Sequence, residues 1–129
     1  MDWFDGLGTR ESRAVQIWQI LIGCAQNRQT ITYEGLADLL GFKGAGVMGP
    51  FLDPLMYWCA QHGVPPLTVL VVGKYTGRPG GGLELDGDVD EERERVYLFA
   101  EQYSWYKVVP PTIEELTEAL QKKKPKKTP

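Results

Sequence analysis

The stretch Thr30-Ile-Thr-Tyr-Glu-Gly-Leu-Ala-Asp-Leu-Leu-Gly41 contains the start, the apolar face and the end of one short helix. Thr32 is a residue type preferred at a helix N-cap, so the helix is predicted to begin at Tyr33. Three leucines within the stretch recur at helical spacing and form an apolar stripe. Gly41 stands where a helix commonly ends in the left-handed conformation. The stretch therefore predicts a helix over 33–40, entered from a short extended segment at Thr30-Ile31.

Two longer helices are predicted on either side of this stretch. The upstream helix runs from Thr9 to about Gln26, and Thr9 or Ser12 would cap it. The downstream helix covers about 47–62, where Pro54 predicts a kink or a restart. Apolar residues of the three helices and of the next segment are expected to share one core: Val15, Trp18, Leu36, Leu40, Phe51, Leu55, Val69 and Val71.

A hairpin is predicted after the third helix. The run 67–72 is short, rich in β-branched residues and bounded by proline and glycine, which is typical of a buried strand. Residues 74–79 would form a turn, and 80–85 would return as the second strand. Three helices followed by a strand, a turn and a strand have the order of a winged helix-turn-helix.

The remaining elements complete the predicted fold class, α+β and mostly α. A fourth helix is expected from Asp90 to about Tyr103, and Thr112-Ile-Glu-Glu115 is a capping box for an extra C-terminal helix that ends near Leu120. The expected organisation is an N-terminal segment, a winged-helix domain with a short two-stranded wing, a helical extension and a basic disordered tail. The corresponding ranges are 1–8, 9–106, 107–121 and 122–129.

Composition excludes several classes of protein. The 129 residues are 43% hydrophobic and 24% charged, which is ordinary for a globular protein. No apolar run approaches the ~20 residues that a membrane-spanning helix needs. The first residues are acidic where a secretory signal is basic, so we expect a cytoplasmic protein without membrane contact. Two cysteines and one histidine predict neither a metal site nor a bound cofactor.

Several motifs together resemble a known family. Val15-Gln-Ile-Trp-Gln-Ile-Leu21, followed by the stretch quoted first, is similar to the C-terminal domain of the alkylguanine-DNA alkyltransferases and to their non-catalytic relatives, the alkyltransferase-like proteins. The similarity continues through Ala45-Gly-Val-Met-Gly49, Leu70-Val-Val72 and Gly80-Gly-Gly-Leu83, and it covers about residues 14–101. The resemblance implies a winged-helix domain that acts on DNA.

The same alignment implies that alkyl transfer is absent. The family's nucleophile lies in a Pro-Cys-His-Arg-Val-Val motif, and Thr68 stands at the cysteine position, with valine at the histidine position. A threonine hydroxyl without a base is not an activated nucleophile. Glu101 falls near the family's relay glutamate, and Cys24 and Cys59 lie on helices outside the motif. We therefore expect no enzyme, although an unrecognised activity that uses Thr68 or Glu101 and the Gly-rich turn 77–82 stays an alternative.

Four residues are predicted to contact nucleic acid. Tyr33 matches a family tyrosine that contacts backbone phosphate, although a tyrosine packed at the start of a helix is an equal alternative. Lys43 precedes the third helix, and Lys74 and Arg78 lie on the predicted wing. The arginine that fills the gap of a flipped base in the family is replaced here by Gly46.

The charge distribution limits how such binding would work. The net charge is −3, and the tail 122–129 contains five of the 14 basic residues, leaving nine against 17 acidic ones, or −8, in the rest. A body of this charge does not attract phosphate as a whole, so contact requires a local patch or the tail. Two hypotheses follow: a non-catalytic protein that binds DNA, and a protein–protein interaction module, an adaptor or regulator with no direct DNA role.

Overall fold

The computed structural model describes residues 10–42, 48–80 and 88–122, and helices make up most of them. The fold is α+β and mostly α, with five α-helices and one two-stranded sheet in these ranges. In chain order the elements are α1 Arg10–Gln26, β1 Ile31–Thr32, α2 Tyr33–Leu40, α3 Met48–Gln61, a 3₁₀ turn Leu67–Leu70, β2 Val71–Val72, α4 Val89–Gln102, a 3₁₀ turn Trp105–Lys107 and α5 Ile113–Lys122. The C-terminal helix is confirmed, and it extends through Lys122, which was assigned to the tail.

Helix ends follow local side-chain chemistry. The hydroxyl of Thr32 accepts a hydrogen bond from the Gly35 amide at 2.9 Å, and Gly41 ends α2 with a φ of 80°. Thr112 and Glu115 form the reciprocal bonds of a capping box at α5, at 3.0 and 3.1 Å. Ser12, in contrast, is buried inside α1 and does not cap it, because the helix already includes Arg10. Thr9, the other predicted cap, lies outside the described residues.

Pro54 does not interrupt α3, so the prediction of a restart is wrong. The helix is continuous from Met48 to Gln61. A proline inside a helix removes the hydrogen bond to the carbonyl four residues earlier. That carbonyl belongs to Pro50, which is solvent-exposed, so water can replace the missing donor.

The small sheet pairs segments that are far apart in sequence. β1 and β2 are parallel, with Ile31 opposite Val71 and Thr32 opposite Val72. The predicted strand over 67–72 is therefore wrong for its first four residues, which form a 3₁₀ turn. Because β1 offers only two residues for pairing, the backbone of 67–70 makes local bonds instead, such as Val69 N–H to Pro66 O at 3.0 Å.

The predicted wing stays a prediction. Its second strand was placed over 80–85, and of these residues only Gly80 lies within the described ranges, where it is not in a strand. The helices of the described ranges follow the predicted order, whereas the observed sheet joins β2 to β1 in parallel.

Three tryptophans form the centre of the core. The ring of Trp18 makes edge-to-face contacts with Trp58 and Trp105, at centroid distances of 5.2 and 5.8 Å. The Trp105 indole donates to the Val96 carbonyl at 2.9 Å, which attaches the segment after α4 to the same core. Of the eight predicted core residues, six are buried, while Val15 and Phe51 are half-buried against the cluster. α5 packs on α3 and α1, and its Leu116 and Ala119 are buried in the same core.

Arg28 fastens the end of α1 to α4. It adopts a φ of 53° and its guanidinium contacts Glu94 at 2.9 Å and Glu101 at 2.6 Å. Glu101, the predicted relay position, is thus one half of an exposed ion pair. Within the described ranges, none of the helices is long and apolar enough to cross a membrane.

Candidate nucleic-acid interface

The segment Gly73–Gly80 that follows β2, here called the basic turn, is closed by its own hydrogen bonds. The Gly73 amide donates to Arg78 O, and the Gly77 amide donates to Gly73 O, both at 2.9 Å. The Thr76 hydroxyl accepts from the Arg78 amide at 3.1 Å. Gly77 has a φ of +66°, and a Cβ on Gly73 would lie 2.8 Å from the Thr76 hydroxyl, so both glycines are required by the geometry.

Two side chains from helices hold the basic turn in place. Tyr33 is the first residue of α2, and its hydroxyl accepts a hydrogen bond from the Gly80 amide at 2.6 Å. A Cβ on Gly80 would lie only 3.0 Å from that hydroxyl, so the close approach depends on glycine. Arg93 of α4 donates to the Gly77 carbonyl at 3.0 Å. The turn is therefore anchored to both α2 and α4.

Three of the four predicted contact residues come together here. Lys74 and Arg78 are exposed in the basic turn, and Tyr33 is half-buried beside its end. Tyr33 is packed at the start of α2, which is one of the two alternatives considered for it, and its contact with phosphate stays a prediction. Lys43, the fourth predicted residue, lies outside the described residues, as do Gly81 and Gly82 of the Gly-rich turn.

The electrostatics of the basic turn are mixed. Arg78 lies 3.7 Å from the Asp90 carboxylate in the first turn of α4, and both side chains are at least half exposed. Asp88 caps the same helix by accepting from the amides of Asp90 and Glu91. The arginine is thus paired loosely with a carboxylate that would compete with any phosphate for it.

Sequence reasoning missed the most exposed aromatic residue of the basic turn, Tyr75. Its side chain is 91% exposed, and the Lys74 ammonium lies 5.5 Å from the ring centroid. The signal was present in the sequence, because a tyrosine inside a predicted polar turn has no core to enter.

The groups considered for catalysis are poorly placed for it. Thr68 is buried, and its hydroxyl has no hydrogen-bond partner in the part of the chain that the structure describes. Burial raises the pKa of the Cys59 thiol to about 12 and also raises that of the half-buried Cys24. A raised pKa reduces the thiolate fraction, so both thiols are weak nucleophiles near neutral pH.

A second surface feature lies at the opposite end of the helices, where α3 and α4 end and α5 begins. It is an open groove of about 530 Å³, here called the aromatic groove, and it is mainly apolar. His62 stacks on Trp58 at 4.1 Å, and its Nδ1 lies 3.0 Å from the Trp58 carbonyl oxygen. The other lining residues are Val64, Phe99, Tyr103, Lys107, Val108, Val109 and Glu115.

Across the described ranges, no group of three or more histidine, cysteine, aspartate or glutamate side chains is arranged to hold a metal ion. Comparisons of the chain with protein-family models, with curated proteins and with solved structures find no match.

Proposed function

We propose that this chain is a non-catalytic, alkyltransferase-like winged-helix protein of the cytoplasm that binds nucleic acid through the basic turn. The observation that carries the proposal is a turn closed by three internal hydrogen bonds, anchored to α2 and α4, with Lys74 and Arg78 exposed on it. A turn whose backbone is already fixed loses less conformational freedom on binding, so few contacts suffice to place a phosphate backbone.

Tyr33 has two tasks in this proposal. It keeps the end of the basic turn beside the first turn of α2 through its bond to the Gly80 amide. Its hydroxyl proton would then be donated to a phosphate oxygen that lies next to the two cations. Tyr33→Phe would remove both bonds while it keeps the ring, and it is expected to weaken binding without a large loss of stability.

The acidic body makes the binding local and sensitive to salt. Each phosphate contact contributes about −0.9 to the slope of log K against log salt on duplex DNA. The five lysines within 122–129 add attraction that does not depend on sequence or structure. Removal of 122–129 is expected to flatten the slope and leave any preference between nucleic-acid structures unchanged.

The first experiment removes the cations of the basic turn. Fluorescence anisotropy with labelled DNA at two salt concentrations is expected to show weaker binding by the double variant Lys74→Ala/Arg78→Gln, with a slope reduced by about one to two. The matched control, Arg10→Gln/Lys107→Ala, removes the same charge from other surfaces. Equal losses in the two variants would contradict the assignment of the basic turn, and the absence of binding by the unmodified protein at low salt would contradict the function.

The second experiment removes the Asp90 carboxylate, which competes with phosphate for Arg78. Asp90→Asn is expected to tighten binding about two- to fivefold, because exposed ion pairs of this kind contribute about 0.2–1 kcal/mol. Glu118→Gln on α5 changes the net charge by the same amount far along the chain and serves as the control. If both variants tighten binding equally, the gain reflects net charge alone, and the specific role of Arg78 is wrong.

The aromatic groove favours a second candidate function, a protein–protein interaction module. Its mainly apolar lining fits one bulky apolar side chain of an extended partner peptide, with Lys107 and Glu115 at the polar edge. A displayed peptide library would test this, because selected peptides should share an apolar anchor and lose binding to Val109→Glu. If no peptide is enriched, or if the selected peptides bind Val109→Glu unchanged, this candidate is wrong.

A further inference from the structure

Tyr75 is the most exposed residue among the large hydrophobic side chains of the described ranges. Its side chain is 91% exposed, compared with 80% for Val109 and 64% for Tyr106. Among the described residues it packs against no core residue, and its one ring contact there is with the Lys74 ammonium beside it. A ring this exposed, next to a lysine on a hydrogen-bonded turn, is available to a ligand.

The backbone that carries Tyr75 is held by hydrogen bonds. Bonds from Gly73 to Arg78 and from Gly77 to Gly73 enclose the residue, and Arg93 and Tyr33 attach the turn to α4 and α2 at Gly77 and Gly80. A tyrosine has only two side-chain torsions to fix. The ring can therefore bind a flat partner at a low entropic cost.

The neighbouring charges indicate what kind of flat partner fits. The Lys74 ammonium lies 5.5 Å from the centroid of the Tyr75 ring, and Arg78 is exposed three residues further along the same turn. An exposed aromatic ring with cations in the same turn suits a nucleotide, since the base stacks on the ring and the phosphates meet the charges. Bases in a duplex are already stacked on each other, whereas unpaired bases expose their faces.

We propose that Tyr75 stacks on an unpaired nucleobase and gives the protein a preference for single-stranded over duplex nucleic acid. The inference rests on the proposed function, because it assigns the ligand class of the same basic turn. Lys74 and Arg78 supply salt-dependent affinity for any strand, and Tyr75 supplies salt-independent affinity for unpaired bases alone. The chemistry is shared by DNA and RNA, so the experiment includes both.

The experiment compares four proteins on three ligands by fluorescence anisotropy. The proteins are the full-length chain and its variants Tyr75→Ala, Tyr75→Phe and Tyr106→Ala, the last being an exposed tyrosine in a different element. The ligands are a single-stranded DNA, a single-stranded RNA of the same sequence and the matching DNA duplex. Because Tyr75 is exposed, its substitution is not expected to change the thermal midpoint of unfolding, which is measured as a control.

The expected results separate stacking from charge. Tyr75→Ala weakens binding to the single strands about 5- to 100-fold, the range observed when one stacking aromatic is removed, and it leaves duplex binding nearly unchanged. Tyr75→Phe keeps the single-strand affinity because it keeps the ring, and Tyr106→Ala behaves as the unmodified protein. The loss in Tyr75→Ala is the same at two salt concentrations. A loss on DNA but not on RNA, or the reverse, identifies the natural strand.

Three outcomes would overturn the inference, and they differ from failure of the proposed function. The inference is wrong if Tyr75→Ala retains full affinity for single strands, loses as much affinity for the duplex as for single strands, or loses no more than Tyr106→Ala. In each case the unmodified protein still binds nucleic acid, so only the stacking role is wrong. If the unmodified protein binds none of the three ligands at low salt, both the proposed function and this inference are wrong.

Discussion

The tryptophan cluster and the basic turn use aromatic residues in opposite ways. Trp18, Trp58 and Trp105 are buried, and the Trp18 ring contacts the other two edge to face. Tyr75 stands on an exposed turn whose bonds fix the backbone and leave the ring open. Burial of the tryptophan rings stabilises the folded state, whereas the exposed Tyr75 ring remains available to a ligand.

Substitutions in the two regions are therefore expected to change different properties of the protein. Substitutions in the tryptophan cluster should change the free energy of unfolding and alter binding only through the folded fraction. Substitutions in the basic turn should change affinity and leave the free energy of unfolding nearly unchanged. A residue that lies between the two regions should show how far they are coupled.

The largest expected effect is at Trp18, at the centre of the cluster. Trp18→Ala removes a fully buried ring that contacts both other tryptophans, and it is expected to lower the free energy of unfolding by about 3–5 kcal/mol. Denaturant unfolding monitored by circular dichroism measures it. Trp18→Phe keeps most of the volume and should lose less. A stability of Trp18→Ala near that of the unmodified protein would show that the cluster is not the centre of the core.

An intermediate effect is expected at Thr32, which links β1 to α2 just before Tyr33. Its hydroxyl accepts the Gly35 amide, so Thr32→Ala should lower the free energy of unfolding by about 1 kcal/mol. Thr32→Ser keeps the cap and serves as the matched control. Because the cap also fixes the start of α2, Thr32→Ala should weaken nucleic-acid binding slightly through Tyr33. Equal stability of the alanine and serine variants would contradict the capping role.

The smallest expected effect concerns the exposed ion pairs of Arg28. The hydrogen bond from Arg28 holds the pKa of Glu94 below its ordinary value. The resulting stabilisation is fully present above the unfolded-state pKa and is lost as the pH falls through the folded-state pKa. Glu94→Gln should therefore be slightly less stable than the unmodified protein at neutral pH, and the difference should vanish in acid. A difference that grows as the pH falls would contradict the pairing, and Glu118→Gln is the control.

Helix boundaries were predictable because their causes are local. Thr32 and Gly41 delimit α2, and Thr112 with Glu115 begins α5, and each signal spans only a few residues of sequence. Six of the eight residues that periodicity assigned to the core are buried. Periodicity missed Trp105, which enters the core from a short 3₁₀ turn that has no periodic pattern.

The errors arose where partners are distant in sequence. The run 67–72 has the composition of a strand, but β1 pairs with only its last two residues, and nothing local indicates that length. The candidate site shows the same limit. Lys74 and Arg78 were identified from their turn, whereas the bond from Gly80 to Tyr33 and the pairing of Arg78 with Asp90 depend on tertiary contacts.

The most direct test of the central claim is a nuclear magnetic resonance titration of the ¹⁵N-labelled protein with a single-stranded oligonucleotide. We expect the largest amide shifts over Gly73–Gly80 and at Tyr33, with the tryptophan cluster and the lining of the aromatic groove nearly unchanged. Shifts concentrated around Val108 and Val109 of the groove, or no shifts at low salt, would contradict nucleic-acid binding by the basic turn.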